Sequence, residues 1–199
     1  MEIVSSDAGD VNYLFRLELL DANFEEKTEF VNVTGTTPTT IPNGPYTRVN
    51  NITNVSQLGA TSGDVAVQSI GGGNVYSVAN VQDQTSNQAV FTVPAGKTGF
   101  ITRVQNSLNR QGTLSEVDAK CIVRFITTPI GRAPLQISRW GLNDGSTSVS
   151  NIAIEQSQPV PEKLDIVVVV DTTNPDSDVT CAFTIMLFDN ENLPPPGSS

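Results

Sequence analysis

Residues 91–104 read Phe-Thr-Val-Pro-Ala-Gly-Lys-Thr-Gly-Phe-Ile-Thr-Arg-Val, and they decide the fold class. One strand-like segment, Ala89–Val93, runs into Pro94-Ala95-Gly96-Lys97, and a longer one, Thr98–Leu108, runs out of it. Proline presets φ and glycine accepts positive φ, so a tight connection is natural between them. A second stretch, Pro161-Glu162-Lys163, leads through Leu164, Asp165 and Ile166 into the apolar run Val167–Val170. Both read as hairpin ends in an all-β domain.

The rest of the chain follows the same grammar. Phe15, Leu17 and Leu19 alternate with Arg16 and Glu18, the period of a half-buried strand. A turn at 21–26 returns the chain through Lys27–Thr34, with Val31 and Val33 inward, so the two form a hairpin. Residues 35–45 form a loop dense in Thr, Pro, Asn and Gly; Tyr46–Thr53 and Gly63–Ser69 are further strands, ended by Gly71-Gly72-Gly73. Residues 74–87 are weakly patterned and hold the internal boundary. Ala119–Thr127, Pro134–Trp140 and Ser150–Gln156 are strands. Leu164–Val170 and Cys181–Phe188 are apolar without alternation, so both should be covered on two faces and be partners or near neighbours. No stretch holds a helical period over three turns, and no repeat recurs.

Strand signals every 8–15 residues indicate an antiparallel β-sandwich or jelly roll, with a smaller N-terminal β subdomain. The expected divisions are 1–87, an N-terminal hairpin region; 88–190, a C-terminal sandwich; and 191–199, an extended Pro-rich tail.

Composition narrows the function. The 199 residues include no histidine, which removes the commonest general base and metal ligand together. With 21 acidic and 11 basic residues the net charge is −10, so a phosphate backbone repels the chain and nucleic acid is not an expected partner. Cys121 and Cys181 lie in strand segments and read as buried thiols of a protein folded in a reducing cytoplasm; a bridge stays open if their strands are neighbours. The N-terminus has no signal-peptide pattern, and no apolar run nears the roughly 20 residues that span a bilayer, so membrane insertion is not expected.

Enzymatic templates find no match. Gly96-Lys97-Thr98 spells the end of a phosphate loop, but the upstream glycine is missing and a strand follows where a helix is needed. Asp171, Asp176 and Asp178, or Asp7 with Asp10, could offer oxygens to calcium, but neither stretch has the full ligand pattern, and a solvated acidic loop is the plainer reading. Trp140 reads as a core or interface anchor rather than a sugar platform. No catalytic, cofactor-binding or metal-binding residues are assigned, no cofactor is expected, and the chain is read as non-enzymatic.

The segments occur in a distinctive order: Val-Ser-Ser-Asp-Ala at 4–8, Leu-Leu-Asp-Ala-Asn-Phe-Glu-Glu-Lys-Thr-Glu at 19–29, Val-Asn-Val-Thr-Gly-Thr-Thr-Pro at 31–38 and Tyr-Thr-Arg-Val-Asn at 46–50. Gly-Asp-Val at 63–65, Phe-Thr-Val-Pro-Ala-Gly-Lys-Thr at 91–98, Val-Pro-Glu-Lys-Leu-Asp-Ile at 160–166 and Leu-Phe-Asp-Asn at 187–190 complete the series. Over about residues 3–190 this succession resembles β-rich virion structural proteins of tailed bacteriophages, especially marine and cyanobacterial ones. The chain differs in beginning almost directly at the core of the pattern, without a longer leader.

The resemblance implies a virion protein on the particle surface, assembled in the host bacterial cytoplasm. A capsid decoration, cement or head-fibre subunit is the leading expectation: a homo-oligomer, with a trimer favoured, bound to other virion proteins and chiefly the major capsid protein. Residues 1–12 and the Pro-rich tail would be its arms. The alternative is a tail-fibre or baseplate receptor-binding domain that recognises a host surface glycan through loops 35–45, 109–117 and 141–149. A hydrolytic tailspike is disfavoured by the absence of an acid–base pair in context and of β-helix repeats.

Overall fold

The computed structural model describes residues 1–86, 90–110, 120–128, 135–143, 148–153, 159–172 and 177–193. Among them the chain is all-β, built of antiparallel sheets, with one 3-10 turn at Asn190–Asn192. It divides into two compact units, Met1–Gln88 and Ala89–Ser199.

In the first unit, β1 (Glu2–Ser5) lies between β4 (Thr39–Thr40) and β6 (Val65–Gln68), with β7 (Val75–Ala79) beyond β6. A second sheet sets β2 (Val11–Asp21) between β3 (Glu26–Thr34) and β5 (Tyr46–Asn54). The alternation in β2 does what its period predicts: Phe15, Leu17 and Leu19 are buried, and Val31 and Val33 of β3 join them. Ile3, Val65 and Val67 from the other sheet complete the same core.

Residues 1–12, expected as an arm, instead start inside a sheet. Ile3 is fully buried, and β1 is hydrogen-bonded along both edges. The physical reason is pairing: β6 pairs with all four residues of β1, and β4 pairs with Glu2 and Ile3.

In the second unit one sheet runs β11 (Leu135–Asn143), β10 (Lys120–Thr128), β14 (Asp165–Thr172), β8 (Val90–Thr92). The other is centred on β9 (Lys97–Arg110). Along one edge β9 pairs with β12 (Ser148–Ala153) and β13 (Pro159–Val160); along the other it pairs with β15 (Ser177–Asp189). Val93, Ile101, Val104, Val160 and Ile166 form the core that both sheets share.

The two proline turns are therefore not hairpin ends. β8 pairs with β14 and β9 with β15, so Pro94–Lys97 carries the chain from one sheet to the other. Pro161–Lys163 makes the return crossing, from β13 on β9 to β14 beside β8. At Pro94–Lys97 the Lys97 N–H donates to the Pro94 carbonyl at 3.3 Å. Gly96 supplies the positive φ, 74°, that the third position of such a turn requires.

One further expectation is narrowed and another corrected. β14 and β15 are not partners in one sheet; they are near neighbours from different sheets that pack on the same core. Neither is covered on both faces among the described residues. Ile166 is buried but Val167 and Val169 are only half-buried, while β15 alternates between half-buried and exposed. An apolar run records that a strand is worth burying, but among the described residues only one face of β15 packs on the core.

Candidate binding surface

The two corners hold each other. The Val93 N–H donates to the Leu164 carbonyl at 3.0 Å, and the Lys163 N–H donates to the Val93 carbonyl at 2.7 Å. The Gly96 N–H donates to the Glu162 carboxylate. The Asn190 N–H reaches the Gly96 carbonyl at 2.9 Å, which fixes the end of β15 to the first corner.

That anchoring presents one face of β15 to solvent. Cys181, Phe183, Ile185 and Leu187 point to the core and are partly buried there. Thr180, Ala182, Thr184, Met186 and Phe188 point away and are exposed. Register places Met186 opposite Phe100, which in turn lies opposite the exposed Pro159 of β13. The Phe100 and Phe188 rings meet edge to face, with centroids 5.5 Å apart and planes at 86°, a favoured aromatic geometry. Met186 is 48% exposed and Phe188 41%. The result is an apolar surface on the outside of a sheet, bounded at one end by Lys97 and Asp189, whose charged groups are 3.2 Å apart.

Among the described residues β15 ends its sheet. Its 13 residues pair with β9, and among the described residues no strand pairs with its other side. From Val179 to Phe188 it carries no charge. Sheets ordinarily guard long edges with charge, proline or a covering element.

The residues singled out in the sequence fall elsewhere. Lys97 begins a strand and pairs with Asp189, while the Thr98 hydroxyl donates to Asn190 Oδ1 at 2.7 Å. Asp7 accepts the Gly9 N–H in its own turn. Asp10 is 1% exposed and accepts three hydrogen bonds: Ser5 Oγ at 2.6 Å, the Ser62 N–H at 2.8 Å and the Gly63 N–H at 2.9 Å. Its oxygens face internal donors, which makes it a structural tie across the first unit. Asp171 and Asp178 lie in β14 and β15, but their side chains, those of Cys121 and Trp140, and Asp176 are outside the described residues. Cys181 carries a thiol, half-buried against the second core. Loop 35–45 belongs to the first unit and loops 109–117 and 141–149 to the second, where 111–119 and 144–147 lie outside the described residues.

Among the described residues the shifted titratable groups all move away from neutrality. For Asp10, burial raises the carboxyl's proton affinity, but the bonds from Ser5, Ser62 and Gly63 lower it further than that. Asp21 behaves alike, with burial opposed by the Glu25 and Asn23 amides and by Lys27. Glu2 is lowered chiefly by Gln68, and Lys27 is raised chiefly by Glu25. Burial, then Glu29, whose Oε1 lies 2.7 Å from the hydroxyl, pushes Tyr46 upward. General acid–base work calls for the opposite, a group poised near the working pH. Among the described residues no cluster of three or more His, Cys, Asp or Glu could hold a metal ion, and no helix is long and apolar enough to cross a membrane.

No family model, curated protein or solved structure matches the chain.

Sequence reasoning missed the β15 surface because Cys181–Phe188 reads as a strand buried on both faces. The signal that could have found it was the alternation of small and hydroxyl residues, Thr180, Ala182 and Thr184, against Cys181, Phe183 and Ile185.

Proposed function

We propose that this chain is a non-enzymatic structural protein on the surface of a tailed-phage particle. It acts as a capsid decoration, cement or head-fibre subunit that self-associates and binds the major capsid protein by non-covalent contact. The observation that carries the reading is the exposed apolar face of β15 around Met186 and Phe188, a surface suited to docking on protein. The resemblance of the ordered segments to phage virion proteins supports the same assignment, as does the net charge of −10, which directs binding away from nucleic acid. The chain folds in the host cytoplasm and ends on the virion.

In this reading the second unit is a β-sandwich whose inner faces share the core around Val93, Val104 and Ile166. Its pairing of β8 with β14 and β9 with β15 favours a Greek-key sandwich over a jelly roll. A rolled-up hairpin would set its first strand against its last.

The glycan-binding alternative has one observation in its favour: the exposed Thr36, Thr37, Thr40 and Asn43 of loop 35–45, a polar surface with hydroxyl and amide groups. Co-sedimentation separates the two readings. Heads of the encoding phage, stripped of this protein, should recover it on mixing with the purified chain. Failure to co-sediment, together with selective binding on a glycan array, would replace the proposal with the alternative.

A further inference from the structure

We propose that Asn43-Gly44 is a self-modifying site. In the folded chain the Asn43 side-chain amide converts to a carboxylate, and the change unlatches the turn 42–45 from β3. The site lies apart from the β15 surface and stands without the virion reading.

Asn43-Gly44 is the single Asn-Gly pair in the sequence. It lies in the turn between β4 and β5, where Pro42, Asn43, Gly44 and Pro45 are all exposed. Conversion requires the backbone nitrogen of the next residue to reach the asparagine Cγ. Regular structure holds that nitrogen in a ladder, whereas a glycine outside one moves freely. Asn43 sits at φ 58°, outside any strand. Among the described residues the Gly44 N–H has no hydrogen-bond partner.

The step balances with water as the one co-reactant. The Gly44 nitrogen attacks Asn43 Cγ and closes a cyclic imide. The Cγ–Nδ2 bond breaks, and ammonia leaves with the proton given up by the Gly44 nitrogen. Water then opens the ring. Attack at Cγ gives aspartate, and attack at the backbone carbonyl carbon gives isoaspartate. Nothing is oxidised or reduced, and loss of ammonia makes the change irreversible.

The amide that reacts is also the latch. Asn43 Nδ2 donates to both Glu29 oxygens, at 3.1 and 3.3 Å, and Glu29 Oε1 also accepts the Tyr46 hydroxyl at 2.7 Å. The two Asn43 bonds are exposed, so water competes for them and the side chain is free to leave Glu29 and meet Gly44. After conversion the donor is gone and a second carboxylate faces Glu29. An aged chain therefore carries one more negative charge than the −10 of a fresh one, and its turn has lost that anchor to β3.

The test follows the purified full chain at mildly alkaline pH, folded and in urea, by intact mass and peptide mapping. The folded chain should gain the mass of an amide-to-acid change at Asn43 before any other asparagine. Isoaspartate should appear beside aspartate, because only ring opening makes it. In Gly44→Ala the new Cβ meets nothing nearer than 3.5 Å, so the variant should fold, and its conversion should slow roughly tenfold or more. Asn43→Asp imitates one product and should lower Tm in the wild type. In a Glu29→Gln background, where the new amide donates to the new carboxylate, it should not. A folded chain that keeps its Asn43 amide while the chain in urea converts would overturn the site, as would aspartate without isoaspartate or a Gly44→Ala rate equal to wild type. The same Asn43→Asp effect in both backgrounds, or none in either, would overturn the latch.

Discussion

Replacing Asp10 with Asn keeps its shape and removes its charge, which isolates what the buried carboxylate contributes to the first unit. Oδ2 accepts from Ser5 and Gly63, and Oδ1 accepts from the Ser62 N–H. The amide can place its carbonyl where Oδ2 was, but its NH2 then meets the Ser62 N–H, donor against donor. Two bonds fall from charged to neutral strength, each losing roughly 1 kcal/mol, and the third is lost at about 1 kcal/mol or more. The expected loss is about 3 kcal/mol at pH 7, a substantial part of a domain's stability.

The pH dependence gives the same prediction a second edge. The folded Asp10 carboxyl is held below its ordinary value, so its contribution is complete above the unfolded pKa of roughly 3.9 and fades as pH falls through the folded value. The gap between wild type and D10N should therefore be widest at pH 7 and narrow on acidification below about pH 4. Urea unfolding of the full chain by circular dichroism measures the gap, and hydrogen exchange at residues 3–6 and 61–64 localises it. A change under about 1 kcal/mol at pH 7, or a gap constant down to pH 3, would refute the tie.

The other expectations concern the cores and the corners. Leu17 is fully buried, so Leu17→Ala should destabilise by about 2–5 kcal/mol in urea titration. Gly63→Ala brings a Cβ to 2.6 Å from the Asp7 amide nitrogen and Ser6 Oγ, and should lower stability by about 1–3 kcal/mol and lower Tm. Lys163 sits at φ 62°, which a side chain disfavours, so Lys163→Gly should raise stability by about 0.5–1 kcal/mol. Because Lys97 opens a strand and pairs with Asp189, Mg-ATP at millimolar concentration should leave Tm unchanged; a rise of several degrees would restore the phosphate-loop reading.

Local pattern revealed what is local. The β2–β3 hairpin was legible because its alternation and its turn lie within one stretch, and Pro94–Gly96 was legible as a turn from its residue types. Pairing across the second unit was not. Nothing in residues 90–92 indicates that they meet Asp165–Val167 rather than β9, because edge choice depends on the whole packed sheet. β1 escaped notice because four residues give too short a period. The role of Asp10 was hidden because two of its donors lie more than 50 residues away. The candidate surface was half legible: the apolar character of 181–188 was plain, but which of its side chains face solvent is set by packing on β9 and the second core.

Cryo-electron microscopy of particles of the phage proposed to encode the chain tests the central claim most directly. The account predicts density for this all-β chain on the outside of the head, in many copies, touching the major capsid protein. Purified particles that lack the chain altogether would contradict it, and a few copies confined to the tail tip would transfer the protein to receptor recognition.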